Sequence, residues 1–404
     1  LNVNARFLLT GLAGVAALGS LLTLGQSPAR AADDIVIGFA TAQSGPEVPY
    51  DADGTRMALL WVEETNAAGG LMGRKLRAVF ADTKSDRTEG AKAGQAVLRD
   101  GASVVVVTCD YDYGSPAALQ AQRAGVISVS ICAGDAKMGV LGVGNLSFSA
   151  SNVAQAEGAA LAQWSLTDKK FTTGYVLLDD SIEYDKSLCA GYEWLFPLKG
   201  GKIVGKDTFK NADPSIASQI TRLSTAMKTE KVEAIMFCSY APGGPSAIRQ
   251  LRAAGINLPI MTGVGLDGTF WFDSVPRLSE YYVAVQASIF GDPRPSVEAV
   301  KAKFKAKYGV EPINQHAYPI YGWFQLWAKA VATTNSVEGK TVVAEMETYK
   351  KEPTALGPRS FSKELHIQAT APLVINQITD GKGKAITIVE APEVPHDVLY
   401  RLKK

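Results

Sequence analysis

The chain has 404 residues, of which 47% are hydrophobic and 20% charged. That is long enough for two or three domains of roughly 150 residues each and apolar enough for a sizeable core. Its 41 basic side chains balance 40 acidic ones, leaving a net charge of +1. A balance so close to neutral gives no global field for nucleic acid or an anionic membrane, so a charged partner must be recognised locally.

The N-terminus stands apart. Arg6 precedes an uncharged run from Phe7 to Leu24, which ends in SPARAAD with small side chains at Ala29 and Ala31. A positive, apolar, then small-residue order predicts a secretory signal peptide over residues 1–31, cleaved after Ala31, and export to the periplasm. A retained membrane anchor is the alternative, and the glycines within the run weigh against it. Without a cysteine near the cleavage point, a lipid-modified N-terminus is not expected. Nothing after Ala31 approaches the length of a membrane span, so the exported protein is expected to be soluble.

From Ile35 onward, short apolar runs alternate with amphipathic ones. Ile35–Ala40 reads as a strand ending at a Ser-Gly-Pro turn, and Asp53–Asn66 as a helix with Met57, Leu60, Trp61 and Glu64 at 3–4 spacing. Leu76–Asp82 is the next strand and Thr88–Arg99 the next helix. Ser103–Cys109 (SVVVVTC) is a continuous β-branched run, as expected of a parallel strand covered on both faces. A helix around Pro116–Ala124 leads to the strand Val126–Cys132. The rhythm restarts with strands at Thr173–Asp180, Lys202–Val204, Val232–Cys238 and Leu258–Gly263. Helices at Lys186–Phe196, Pro214–Lys228 and Ser246–Ala254 separate them. Repeated β-α-β units with short loops predict doubly wound sheets, here in two successive α/β lobes that change over near Phe148–Ser151. The part from Val283 to Thr334 holds a further strand and two helices, and the tail from Phe361 is strand-prone. In such sheets ligands sit at the carboxyl ends of strands, so two facing lobes create one cleft between their loop tips.

The four cysteines, Cys109, Cys132, Cys189 and Cys238, lack CxxC spacing. That disfavours a redox motif or zinc knuckle. After export an even number suggests disulfides. Cys109 and Cys132 end neighbouring strand-like runs, which makes local pairing feasible; buried free thiols are the other reading. Catalytic patterns are missing: no phosphate-binding G-x-x-x-x-G-K-[ST] loop, no G-x-S-x-G elbow and no H-E-x-x-H. Gly139, Gly142 and Gly144 form a GxxGxG string that joins no strand to a helix and reads as loop. His316, His366 and His396 have no metal-ligand spacing. No acid pair stands out as a general acid and base. Neither an enzyme activity, a metal nor a cofactor is expected.

Several segments carry a resemblance. SGPEVPYDADGTRMALLWVEETNAAGGLMGRKLRAVFADTKSD (Ser44–Asp86) is similar to the opening of the leucine/isoleucine/valine-binding protein family, the run Asn66–Leu76 most of all. AGVISVSICAGD (Ala124–Asp135), the LDDSIEYDKS segment around Tyr184, Ile248–Gly263 and Leu356–Ile378 follow the family order. These are type I periplasmic binding proteins that serve ABC importers. The resemblance implies two Rossmann-like lobes joined by a three-segment hinge and closing on one buried ligand. Residues 34–149 with 288–360 would form lobe 1, and 150–287 with 361–404 lobe 2. It implies an amino acid or a related small polar or amphipathic ligand, ABC transporter permease subunits as partners, and a monomer with no nucleic-acid role. A ligand-sensing subunit of a receptor is the alternative, as is an amide, polyamine or aromatic acid as ligand.

The resemblance also implies where contacts lie. The segment beginning at Ser44 carries Tyr50, matching the aromatic that covers the ligand. The loops that usually hold its carboxylate match Asp110, Tyr111, Cys132, Ala133 and Gly134. Second-lobe aromatics match Tyr184 and Tyr240, and His316 with Tyr318 forms a further wall. Tyrosines supply rigid contact area with a polar tip, which suits a small ligand in a closing cleft. Two departures stand out. The position where amino-acid binders carry an acid to pair the ammonium is Val264, and Gly134 replaces a threonine that meets the carboxylate. Losing a buried charged partner costs on the order of 3–5 kcal/mol, which argues against leucine-like specificity. Asp267 is a candidate substitute for the missing acid, and DYDYG (Asp110–Gly114) could present two acids to a cationic or hydrogen-bond-donating ligand.

Overall fold

The computed structural model describes residues 33–390 and 392–402. The expected signal peptide lies outside them. Among the described residues no helix is long and apolar enough to cross a membrane.

The first lobe alternates β1 (Ile35–Thr41), α1 (Val48–Ala67), β2 (Leu76–Asp82), α2 (Arg87–Arg99), β3 (Val104–Val107), α3 (Tyr111–Arg123), β4 (Ile127–Ser130) and β5 (Ser147–Ser149). Its sheet runs β2-β1-β3-β4-β5, parallel throughout. The four valines of β3 are fully buried because helices cover both faces of the sheet. The chain then enters the second lobe through α4 (Ala154–Thr167), β6 (Thr173–Asp179), α5 (Glu183–Leu198), β7 (Lys202–Phe209), α6 (Ala217–Thr229), β8 (Ala234–Cys238), α7 (Gly243–Ala253), β9 (Ile260–Thr262) and β10 (Tyr281–Val285). Three helices, α8 (Pro295–Tyr308), α9 (Pro319–Thr334) and α10 (Gly339–Met346), return to pack on the first sheet. The antiparallel pair β11 (Pro372–Thr379) and β12 (Lys382–Glu390) closes the second sheet, and α11 (His396–Leu399) follows. That sheet runs β12-β11-β10-β9-β8-β6-β7.

Two starts differ from the sequence expectation, and both matter for the site. Helix α1 begins at Val48 rather than Asp53, because Pro49 in its first turn fixes a helical φ at no cost in hydrogen bonds. Helix α3 begins at Tyr111 rather than near Pro116: the Asp110 carboxylate accepts from the Asp112 N–H at 2.7 Å and caps the turn. Tyr50 and Tyr111 therefore sit on helix first turns, close to the sheet. The Gly139–Gly144 string is loop, as the sequence indicates.

Both cysteine pairs are disulfides. Cys109–Cys132 ties the end of β3 to the end of β4, and Cys189–Cys238 ties α5 to β8. The chain passes between the sheets three times, and the crossings are hydrogen-bonded to one another. Arg359, buried, donates to Ala150 O at 3.0 Å and to the Gln286 side chain at 3.2 Å. Gln286 in turn donates to Ser151 Oγ at 2.6 Å, and Asn152 bridges to Gln368. Burial lowers the Arg359 pKa to about 10, leaving the guanidinium charged.

Candidate functional site

The strand orders fix where a site can form. In the first sheet β1 lies between β2 and β3, and in the second β6 lies between β7 and β8. Each is a reversal of strand order, and the loops leaving such a pair diverge to opposite faces and leave a crevice. The two crevices face each other. One cavity lies between them, with about 360 Å³ of space unfilled by atoms out to its mouth. Glu47 and Tyr50 enter it from behind β1, and Cys109 and Asp110 from behind β3. Ile182 and Tyr184 follow β6, and Tyr240 follows β8. Cys132 and Gly134 after β4, Val264 and Gly265 after β9, and His316 before α9 complete the wall.

Local contacts hold these groups in place. Asp51, one residue past Tyr50, accepts from Ala42 N at 2.6 Å and Cys109 N at 2.7 Å, locking the ends of β1 and β3 together. Asp179 at the end of β6 accepts from Ser239 and Asn211 at 2.9 and 2.7 Å, which fixes the Tyr240 turn. Helices α4 and α5 meet at Gly158 and Gly191, where any side chain would overlap the backbone of the other helix. That close approach sets Glu157 against Tyr184.

Tyr50 spans the cleft. Its hydroxyl donates to Gly265 O at 3.0 Å and accepts from Ala241 N at 2.8 Å, both on the second lobe. Its ring meets His316 and Phe270 edge-on, with centroids 5.4 and 5.6 Å away. The Tyr184 hydroxyl donates to Glu157 Oε2 at 2.8 Å and accepts from Gly265 N at 3.1 Å. Glu157 Oε2 also accepts from Val264 N at 3.2 Å. Tyr50 thus closes one lobe onto the other over the cavity, while Tyr184 and Glu157 brace the second-lobe wall.

The cavity is acidic. Burial raises the Glu47 carboxyl well above its usual range, and the neighbouring Asp110, Asp51 and Asp112 raise it further. Asp110 is raised by burial and then by Asp112, and its Oδ2 is buried without a hydrogen-bond partner. Burial lifts Asp51 to about 7 and Glu157 to about 8, although each accepts backbone hydrogen bonds that oppose the shift. Burial also drives His316 down to about 3, so the imidazole lining the cavity is neutral. His316 and the two sulfurs of Cys109 and Cys132 lie within 4.8 Å of one another. Both sulfurs are in the disulfide, so no thiolate is present to bind a metal.

Of the residues singled out from the sequence, Tyr50, Asp110, Cys132, Gly134, Tyr184, Tyr240 and His316 line the cavity. Five others do not. Ser44 is exposed and donates to Asp82 Oδ2 at 2.6 Å. Tyr111 is half-buried near Asp135, Asp112 and Glu183. Ala133 is buried in the first-lobe core and takes a hydrogen bond from Ser149. Tyr318 is fully buried in the core beneath α9. Asp267 does not replace the acid missing at Val264: its carboxylate accepts from Gln315 N at 2.8 Å, clasping one lobe to the other, and burial raises it to about 6. His366 hydrogen-bonds Ser147 O and Glu347 and stacks on Phe148, a packing role. Sequence reasoning overlooked Glu47 and Glu157. Glu47 lies in the turn directly after β1, beside Tyr50, which is a usable signal. Glu157 has none, because a helix far along the chain carries it.

The pattern of the periplasmic binding protein family matches residues 34–384. The chain is 25% identical over 335 residues to the Leu/Ile/Val-binding protein BraC3 of Rhizobium johnstonii, covering 82% of this chain and 88% of that one. To the Leu/Ile/Val-binding protein of Escherichia coli it is 21% identical, covering 87% and 93%. Among solved structures, the isoleucine complex of the substrate binding protein LivJ from Streptococcus pneumoniae superposes with a TM-score of 0.78 at 23% identity, covering 88% and 99%. A solute binding protein of Rhodopseudomonas palustris in complex with benzoate does so at 0.74 and 17%, covering 91% and 99%.

Proposed function

The chain belongs to the periplasmic binding protein family, and we propose that it is an extracytoplasmic solute-binding protein that hands one small ligand to an ABC importer. The ligand is enclosed by both lobes, with Tyr50, Asp110, Tyr184, Tyr240 and His316 in contact with it. The observation that carries this reading is the Tyr50 hydroxyl, which reaches from one lobe to two backbone groups of the other directly over the cavity. That contact couples closure of the lobes to enclosure of the cavity. The relatives named above bind branched-chain amino acids, and a similar structure holds benzoate. The family is one of binding proteins rather than enzymes. Permease subunits are the expected partners, and the periplasm the expected place of work.

A thermal-shift screen of amino acids, amides, polyamines and aromatic acids tests the reading. Ligand at a hundred times its dissociation constant adds about 2.7 kcal/mol to the folded state, a readily visible shift. Tyr50→Ala and Tyr240→Ala are each expected to weaken the hit far more than they destabilise the unliganded fold. Unchanged affinity in both would remove the contact assignment, and turnover of a hit would replace transport by catalysis.

A further inference from the structure

We infer that the cavity takes a small organic cation, a primary ammonium or amidinium on a compact apolar or aromatic body, and turns away free carboxylates. This rests on the solute-binding reading and adds the charge of the ligand. Three observations carry it. First, carboxylate oxygens at and beside the cavity lack donors. Asp110 is 92% buried, lines the cavity and has Oδ2 without a donor. Glu47, 97% buried, lines the same space. Beside them Asp185, fully buried in the first turn of α5, has both oxygens without a donor. Second, among the described residues no lysine or arginine lines the cavity. Basic groups that act on the neighbouring acids are committed elsewhere: Arg87 to Asp112 at 2.8 Å, and Lys186 to Glu183 at 2.9 Å. Buried carboxylates without a cation are costly, and a cationic guest supplies the missing charge.

Third, four backbone N–H groups around the cavity that could meet a carboxylate are already engaged. Cys109 N is given to Asp51, Ala241 N to Tyr50, Val264 N to Glu157 and Gly265 N to Tyr184. Both oxygens of Tyr50 and Tyr184 are occupied as donor and acceptor. What these tyrosines still present is ring, and an aromatic face attracts a cation. Acid, ring and aliphatic wall (Ile182 and Val264) together describe an amine on an apolar body.

The test holds shape constant and varies charge. Calorimetry and thermal shift on the full exported chain would compare 3-methylbutylamine, leucine and 4-methylpentanoate, which share one branched skeleton, and benzylamine with benzoate. The amines are expected to bind at least about tenfold tighter than their zwitterionic or anionic counterparts. Asp110→Asn keeps an oxygen to cap α3, and it is expected to weaken benzylamine by about tenfold or more, as is Glu47→Gln. Preference for leucine or for either carboxylate would overturn the inference while leaving a solute-binding protein. So would silence of all five compounds when a neutral compound from the broader screen binds. Silence of every compound in both sets would overturn the solute-binding reading as well.

Discussion

The cleft is bridged at its centre and at its rim, and the two places treat carboxylates in opposite ways. At the rim Asp135 accepts from Lys137 N, Ser187 Oγ and Arg401 Nη1 at 2.8, 2.7 and 2.9 Å, so both of its oxygens are satisfied. Glu183 beside it is bonded to Lys137, Lys186 and Arg401. Burial works against its ionisation, yet these cations outweigh burial and hold it down at about 2. At the centre Glu47 and Asp110 are as deeply buried but face no cation, and burial pushes them up. The same chain therefore supplies arginine and lysine to the rim acids Asp135 and Glu183, and withholds them where the cavity lies. Unsatisfied charge inside a folded protein is costly enough that such a contrast marks a place prepared for something else.

The largest expected effect tests the rim. Asp135→Ala strips Arg401 and Ser187 of a buried acceptor, and should cost about 3 kcal/mol in urea unfolding. Asp110→Asn at the centre should cost nothing or stabilise the unliganded protein by about 1 kcal/mol, since it removes an unpaired charge and keeps the cap. Equal losses in both variants would break the comparison. Next comes Tyr50→Phe, which deletes two hydrogen bonds across the cleft. A loss of about 1–2 kcal/mol from the closed state is expected, read as a larger radius of gyration by X-ray scattering. An unchanged profile would mean that the lobes are held by the rim alone.

A smaller effect concerns pH. The Glu157 carboxyl is raised to about 8 in the folded chain, so the folded state holds its proton where the unfolded chain, near 4.3, has lost it. Its stabilisation is complete below the unfolded value and disappears as pH rises towards 8. Unfolding at pH 5, 6.5 and 8 should therefore show Glu157→Gln flattening the decline by about 1–2 kcal/mol. The slope that remains comes from the other raised carboxyls, Asp51 and Asp267 at about 7 and 6 together with Glu47, Asp110 and Asp185. A slope as steep as the parent's would show that Glu157 ionises freely. Ser44→Ala should do least. Its side chain is exposed and bonded to Asp82, so ligand affinity should not change; a marked loss would move the cavity wall outward.

How much of this could be read from the residues follows from the range of each interaction. Alternating apolar runs gave the strands and their lobes, because burial on both faces of a parallel sheet leaves a local signature, as in the valines of β3. The cavity residues Tyr50, Asp110, Tyr184 and Tyr240 were reachable because each stands just after a strand, where the fold must place a ligand. Tyr318 and Ala133 share that neighbourhood in the chain, yet they point into the core. Direction is set by packing rather than by position. Glu157 and the Asp267–Gln315 clasp join residues far apart in the chain, and no local pattern announces them.

By itself the sequence determined the class of fold, the two-lobe rhythm, the cysteine spacing and the strand-end loops, all of which arise from neighbours along the chain. Only the tertiary structure decided that Cys109 meets Cys132 and Cys189 meets Cys238, that Asp110 Oδ2 in the cavity has no partner, and that the rim acids are paired. Whether a buried carboxylate has a partner depends on groups brought from distant segments, and the desolvation that makes that partner matter exists only once the chain has folded.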